Sequence, residues 1–298
     1  MLTRKTPSRA AQVLGMGIAA TLAPVALASS ASAATLPVAC SETALQTAIN
    51  TANSTPSSDT LNLAPGCTYQ LTTELPAITS PIVINGSGST ITRVSGTFRL
   101  LTVSGGNLTL RTAILTNGDA TGSSVQNGAG GAIVVTGNGT LNVTSSVIRH
   151  NHANFGGGIS VFSGSQARVG ASVFTGNTAA NNGGGIVSDG TLTVNSSQFS
   201  RNTANIAGGA VANIGTLTLN SSNITNNTAL SVGGGLANGV PNAPGGTSTV
   251  TTSNISNNTA GNAGGIYNNG GTVTLRLSLV ARNSPNNCAG NPVPGCVG

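Results

Sequence analysis

Apolar residues in the second half of the chain alternate with Thr, Ser and Asn, as in Leu192-Thr193-Val194. Alternation with a period of two is typical of a strand that buries one face. Segments rich in Gly or Asn separate these short stretches, as tight corners require. The pattern therefore predicts units of about three short strands joined by corners.

The units recur at a nearly constant spacing. GGGIVSDGTLTV begins at residue 183, and the closely similar GGAVANIGTLTL begins at residue 208. Three apolar series keep this step: Ile133, Ile159, Ile186, Val211, Leu236 and Ile266; Val143, Val169, Val194, Leu219, Val250 and Leu275; and Ile148, Phe174, Phe199, Ile224, Ile255 and Val280. An asparagine series follows the third, at Asn151, Asn177, Asn202, Asn227, Asn258 and Asn283. Series that share one spacing indicate a repeat architecture.

This period predicts an all-β fold, a right-handed, single-stranded parallel β-helix with one coil of about 25 residues per repeat. A propeller blade needs about 40 residues and four strands, so a propeller does not fit. The right hand follows the usual rule for parallel crossovers. We interpret the asparagine series as a structural ladder, in which each side-chain amide hydrogen-bonds the next coil.

The first residues have the layout of a secretory signal peptide over residues 1–33. Arg4, Lys5 and Arg9 precede an apolar stretch at 13–27, and small residues at 31–33 offer a cleavage site. The mature chain is therefore expected to begin at Ala34, to be secreted and to lie outside the cell or at its surface. The mature chain has no predicted transmembrane segment.

Three further regions follow the leader. Residues 34–110 are expected to form an N-terminal cap and the first coils, residues 111–285 the repeat coils, and residues 286–298 a C-terminal capping tail. A short capping helix is predicted from Ser41 to Asn53, with Ser41 as its N-cap. Its predicted apolar face comprises Ala44, Leu45, Ala48, Ile49 and Ala52.

Two longer steps interrupt the repeat, at Gly118–Ala129 and Ala237–Gly246. Insertions in solenoids map to outer loops, often on the binding side, and tolerated surface insertions are the alternative. Four cysteines, Cys40, Cys67, Cys288 and Cys296, are candidate disulfide partners in an exported chain. Three pairings are open, of which one bridge at each end is the most natural. Zinc is disfavoured because the spacings lack close Cys-x-x-Cys pairs.

Ionisable residues are scarce. After the leader, eight arginines stand against Glu42, Asp59, Glu74, Asp119 and Asp189. The arginines form no cluster, so no nucleic-acid partner is predicted. No two carboxylates have the spacing of a glycosidase pair, and no acidic cluster suits calcium. His150 and His152 lack a visible third ligand. We therefore predict no catalytic residues, no metal site and no cofactor.

Thr-x-Thr pairs form a further regular feature, at Thr191/Thr193, Thr216/Thr218, Thr247/Thr249 and Thr272/Thr274. One coil per repeat would stack them outward on one face. Such a surface is typical of solvated strands, since Thr favours the β conformation. A regular lattice of hydroxyls and methyls that binds ice or a crystalline polymer is the alternative.

The repeat motifs resemble those of polymorphic outer-membrane proteins. The tetrads GGAI at 130–133, GGGI at 183–186 and GGAV at 208–211 carry the likeness, together with FTGN at 174–177 and FSRN at 199–202. The resemblance covers roughly residues 40 to 285. It implies a right-handed β-helix and, as in the outer-membrane members, surface display and adhesion.

Together these features favour a secreted, non-catalytic β-helix that binds or adheres to cell-surface or extracellular polymers, such as polysaccharides. A polysaccharide lyase or hydrolase with an atypical site is the first alternative, and Asp119, Asp189 or the two histidines meeting in one groove would favour it. An ice-binding or other regular-surface protein is the second, which flat, exposed threonine columns would favour. The oligomeric state stays open.

Overall fold

A computed structural model describes residues 32–297. The chain winds into a parallel β-solenoid, in which register partners such as Thr191 and Thr216 lie one coil apart. The predicted parallel β-helix of about 25 residues per coil, with one short helix near its start, is confirmed. Residues 1–31, which make up nearly all of the predicted signal peptide, lie outside the described residues.

Four sheets run along the solenoid, here named A to D. Sheet A has ten strands: Thr35–Val38, Asp59–Leu63, Pro81–Asn85, Asn107–Arg111, Thr140–Thr144, Gln166–Gly170, Thr191–Asn195, Thr216–Asn220, Thr247–Thr251 and Thr272–Arg276. Sheet B has nine: Thr68–Leu71, Thr90–Arg93, Ile114–Thr116, Val147–Arg149, Val173–Thr175, Gln198–Ser200, Asn223–Thr225, Asn254–Ser256 and Leu279–Ala281.

Sheet C runs along most of the solenoid, and sheet D is confined to four coils. Sheet C contains the parallel strands Leu101–Ser104, Ile133–Thr136, Ile159–Val161, Ile186–Ser188, Val211–Asn213, Leu236–Val240, Ile266–Asn268 and Cys288–Gly290, and Ala243–Pro244 pairs antiparallel with Leu236–Val240. Sheet D has four strands: His152–Phe155, Thr178–Asn182, Thr203–Ala204 and Thr228–Ala229. Sheet D was missed in the prediction of about three strands per unit, because its inward residues are single alanines such as Ala179.

Period-two alternation explains which side chains enter the core. In the strand Thr191–Asn195, Leu192 and Val194 are fully buried while Thr191 and Asn195 are exposed. The predicted apolar columns are in register, as where Phe174 pairs with Phe199 and their rings stack 4.6 Å apart. Stacked aliphatic columns therefore form one continuous core along the coils.

The predicted asparagine ladder is also present. The Nδ2 of Asn151 donates to the Oδ1 of Asn177 at 2.9 Å, and the same contact continues through Asn202, Asn227, Asn258 and Asn283 at 2.9–3.0 Å. All six asparagines are buried. The ladder therefore satisfies polar groups that the corner would otherwise leave without partners.

The predicted helix lies near the start of the described chain, and the two predicted disulfides lie near its two ends. The helix α1 spans Glu42–Asn53, and the Oγ of Ser41 accepts a hydrogen bond from the backbone N–H of Ala44 at 3.2 Å. Disulfides join Cys40 to Cys67 and Cys288 to Cys296. Among residues 32–297, no helix is long and apolar enough to cross a membrane.

Candidate functional site

A sharp corner recurs between sheets D and C and shapes the outer surface of the solenoid. At Gly183 the backbone has a φ of +71°, which favours glycine. A Cβ on Gly184 would lie 2.3 Å from the carbonyl oxygen of Gly209 in the next coil, so only glycine fits there. The outward side chains before and after this turn, Asn182 and Val187, line the same cavity.

In the later coils, side chains that point outward from the strands pack into this corner. Val187 is only 7% exposed, although it alternates with the inward residues Ile186 and Ser188. It belongs to a second apolar cluster, separate from the main core, which contains Val187, Ala207, Ala212, Val232, Ala237 and Val240. The corner is therefore an apolar crease that runs along the coils.

The crease opens into a cavity of about 300 Å³, here called the lateral groove. Its lining residues are Gln126, Asn127, Ala129, Phe155, Ser160, Phe162, Asn182, Val187, Asp189, Ile214 and Val240. Apolar walls with a few polar groups are typical of ligand sites, and this volume lies at the small end of their range. The groove spans several coils, so it runs parallel to the solenoid axis.

Incompletely buried aromatic rings concentrate along this crease. The sequence has five Phe, two Tyr and no Trp. Four of these aromatics are buried: Tyr69, Phe98, Phe174 and Phe199. The other three are Phe155 and Phe162, which line the groove, and Tyr267, which packs on the apolar cluster further along. The rings available to a ligand thus lie on one side of the solenoid.

Both insertions that interrupt the repeat reach the groove. The first contributes Gln126, Asn127 and Ala129, and the second contributes Val240. Sequence alone left open whether these insertions mark a binding side or tolerated surface loops. Their joint presence in one cavity favours the binding side.

The buried side chain of Arg99 anchors the first insertion. Its Nε donates to the carbonyl of Ala129 at 3.1 Å, and its Nη2 donates to the carbonyl of Val125 at 2.8 Å. Its Nη1 lies 3.8 Å from Glu74 Oε1. Burial lowers the pKa of Arg99 and the charge of Glu74 opposes that effect. The insertion is therefore a fixed wall of the groove.

Asp189 is the one ionisable residue in the lining of the groove. The side chain reaches solvent, but the surrounding protein removes enough water to raise the pKa of its carboxyl group. Within residues 32–297 its carboxylate has no hydrogen bond and no ion pair. The groove therefore presents an acceptor whose binding capacity is unused.

Asp119, Asp189, His150 and His152, whose meeting in one groove would favour the enzyme alternative, are not brought together in the groove. Asp119 and His152 are backbone bridge partners on neighbouring coils, and Arg93 Nη2 lies 3.9 Å from Asp119 Oδ2. His150 is exposed at a corner, with a φ of +52°. Apart from Asp189, none of these residues lines the groove. In the described part of the chain, no group of three or more His, Cys, Asp or Glu suits a metal ion.

The threonine pairs stack in register on the outer face of sheet A. One column contains Thr191, Thr216, Thr247 and Thr272, and the other contains Thr193, Thr218, Thr249 and Thr274. The first column is exposed, whereas the second is half-buried. The face is regular over four coils, and Arg168 pairs with Thr193 at one end of the second column.

A second depression, of about 500 Å³, lies on the N-terminal cap between the strand Thr35–Val38 and α1. Its lining comprises Leu36, Pro37, Ala39, Ser41, Thr43, Ala44, Thr47, Ala48 and Thr51. This depression is larger than the groove but open, and its lining has neither an aromatic ring nor an ionisable group. The chemistry for recognition is therefore concentrated in the lateral groove.

Fold and site together define a parallel β-solenoid with an aromatic-lined groove along one side. No protein-family model matches the chain, and no curated protein sequence matches it. Among solved structures, the chain is similar to an alginate lyase from Paenibacillus sp. str. FPU-7, with a TM-score of 0.37 and 13% identity. The similarity covers 84% of this chain and 97% of the lyase chain. A likeness this weak carries no argument about activity.

Proposed function

We propose that this chain is a secreted, non-catalytic β-solenoid that binds an extracellular or cell-surface polysaccharide in the lateral groove. The observation that carries the proposal is the convergence of Phe155, Phe162 and Tyr267 on one crease. Aromatic rings that stay partly open supply large apolar contact area to a ligand. The crease crosses coils spaced about 4.8 Å apart, which suits an extended chain better than a compact molecule.

Secretion and surface attachment belong to the same proposal. Two disulfides are typical of proteins that fold in an oxidising compartment. The leader-like residues 1–33 supply the export route. The likeness to polymorphic outer-membrane repeats supports adhesion at a cell surface as the setting in which the groove acts.

Binding of the mature chain to a panel of cell-wall, storage and pectic polysaccharides tests the proposal. We expect retardation in native gels that contain one class of polymer. Replacing Phe162 with Ala should weaken binding by about fivefold or more, as loss of an aromatic contact at an interface does. Leu230→Ala, which removes an exposed apolar side chain outside the groove lining, serves as the control. Unchanged affinity in the Phe162 variant, or no bound polymer, would refute the proposal.

A polysaccharide lyase or hydrolase is the second candidate, favoured by the ion pair of Arg93 with Asp119, whose backbone pairs with that of His152 in the next coil. A positive charge, a carboxylate and an imidazole are groups that such reactions use. Mass spectrometry of the same polysaccharides after incubation decides the matter. Reproducible fragments that disappear in His152→Ala would replace the non-catalytic proposal.

The threonine face supports a third candidate, a protein that binds ice or a crystalline polymer. Its two columns are in register over four coils. Growth of single ice crystals in the presence of the chain, and of its Thr216→Lys variant, tests this candidate. Faceted crystals with the parent and round crystals with the variant would favour it.

A further inference from the structure

Asp189 differs from every other carboxylate of the described residues in having no partner. Glu42 accepts hydrogen bonds from Thr72 and Thr73. The remaining carboxylates are also satisfied: Asp59 by Ala34 N–H and Thr55, Glu74 by Thr102 and Arg99, and Asp119 by Thr121 and Arg93. Asp189 is exposed, so water can satisfy its carboxylate in the free protein, but a ligand that fills the groove displaces that water and must supply a donor in its place. The exception lies inside the groove that we propose as the binding site.

A second polar atom of the groove points to the same type of ligand group. Asn182 Oδ1 is buried and has no hydrogen-bond partner in the described chain. Like the carboxylate of Asp189, it is an acceptor, so the groove offers two acceptors that donors of a ligand could satisfy. An ammonium group supplies three donors and no acceptor.

The aromatic lining adds a third argument. Phe155 and Phe162 border the groove, and the faces of aromatic rings attract cations. No Arg, Lys or His lines the groove, so nothing there would neutralise a carboxylated polymer. The mature sequence as a whole has more basic than acidic residues, so a polycation gains no general attraction to this protein.

We infer that the lateral groove recognises a polysaccharide built from amino sugars with free amines, whose ammonium group pairs with Asp189 while the sugar ring packs against Phe162. The inference rests on the proposed polysaccharide binding and adds the chemical class of the ligand. It also excludes polymers of uronic acids as ligands of this groove, because their carboxylates would lie beside that of Asp189.

Three oligosaccharides with one backbone provide a matched test. Oligomers of β-1,4-linked glucose, N-acetylglucosamine and glucosamine differ only at C2, where they carry a hydroxyl, an acetamide or an amine. At a pH where the amine is protonated, titration calorimetry should show the glucosamine oligomer binding about tenfold more tightly than the other two. That ratio is what a charge-assisted hydrogen bond contributes.

The variant Asp189→Asn should abolish this preference and leave the weaker binding of the glucose oligomer in place. Because the change removes a partly desolvated charge, we expect the variant to be at least as stable as the parent at neutral pH. Glu42→Gln, which alters a carboxylate on the N-terminal helix and outside the groove lining, is the control. Circular dichroism checks the fold of each.

The outcomes separate the two proposals. The first outcome is that all three oligomers bind equally, that Asp189→Asn has no effect and that Phe162→Ala weakens binding. This outcome would overturn the amine specificity but would leave the proposed polysaccharide binding in place. Loss of the preference in Glu42→Gln as well, or equal competition by polylysine, would show unspecific charge attraction and overturn the inference. A folded chain that binds none of these oligomers and no other polysaccharide would overturn both.

Discussion

At the scale of single residues, the asparagine column shows how one side-chain type satisfies a whole corner. Asn202 Oδ1 accepts from both the backbone N–H and the Nδ2 of Asn177. Asn202 Nδ2 donates to Phe174 carbonyl and to Asn227 Oδ1. Each rung therefore has partners in the coils on both sides, and loss of one rung leaves unpaired groups in its neighbours.

We expect Asn202→Ala to lower the free energy of unfolding by about 3 kcal/mol or more, because several buried polar groups lose partners at about 1–3 kcal/mol each. Chemical denaturation of parent and variant measures the change. Asn195→Ala is the matched control, since Asn195 is exposed and accepts a single bond from Asn220. A loss no greater than that of the control would contradict a structural role for the ladder.

At the scale of elements, the first insertion depends on a single buried guanidinium. Arg99 is 1% exposed and donates to two carbonyls of the insertion. Asn154 adds a bond from its Nδ2 to the carbonyl of Asn127 at 3.1 Å. These contacts hold a segment of irregular backbone between the coil before it and the coil after it, so the end wall of the groove is formed before any ligand arrives.

Replacing Arg99 with Met should release that wall. The carbonyls of Val125 and Ala129 lose their donor, and we expect a loss of about 2–4 kcal/mol in unfolding free energy. Hydrogen exchange should accelerate in residues 121–129, and affinity for the bound polymer should fall. Arg168→Met, at an exposed position of sheet A, is the control. Unchanged exchange in the insertion would show that other contacts hold it.

At the scale of the whole molecule, stability is distributed over nearly equivalent coils. Apart from the antiparallel pair of Ala243–Pro244 with Leu236–Val240, the strands of each sheet bond the strands of the coils before and after them. Such solenoids behave as sums of repeat and neighbour terms. Sequence-based reasoning succeeds for this part because identical environments recur at a fixed step, as in the column from Ile133 to Ile266.

The groove was not predictable in the same way. Its lining comes from places distant in the sequence, such as Asn127, Phe162 and Val240, that only the winding of the chain brings together. Val187 also departs from simple alternation, because the corner buries an outward side chain. One signal was nevertheless present in the sequence: Phe155, Phe162 and Tyr267 stand outside the repeating core series.

Deletion of residues 191–215 tests the independence of the coils. Thr216 would then follow Gly190 and take the register position of Thr191, while Asn227 would take the place of Asn202. We expect a folded chain with cooperative unfolding and a modestly lower midpoint, monitored by circular dichroism. Deletion of residues 191–203, about half a coil, breaks the register and should prevent folding. Equal behaviour of the two deletions would show that coil register does not govern the fold.

The glycine corner at Gly183 has counterparts at Gly130, Gly156, Gly208 and Gly233, all with positive φ. These five coils therefore share the same corner, and the size of their outward side chains decides where the crease is open. A gene duplication that added one whole repeat beside Asp189 would lengthen the cleft by about 4.8 Å without altering the existing corners. Each added repeat would therefore extend the groove by one coil. A protein of this fold can thus adapt to a longer ligand one coil at a time.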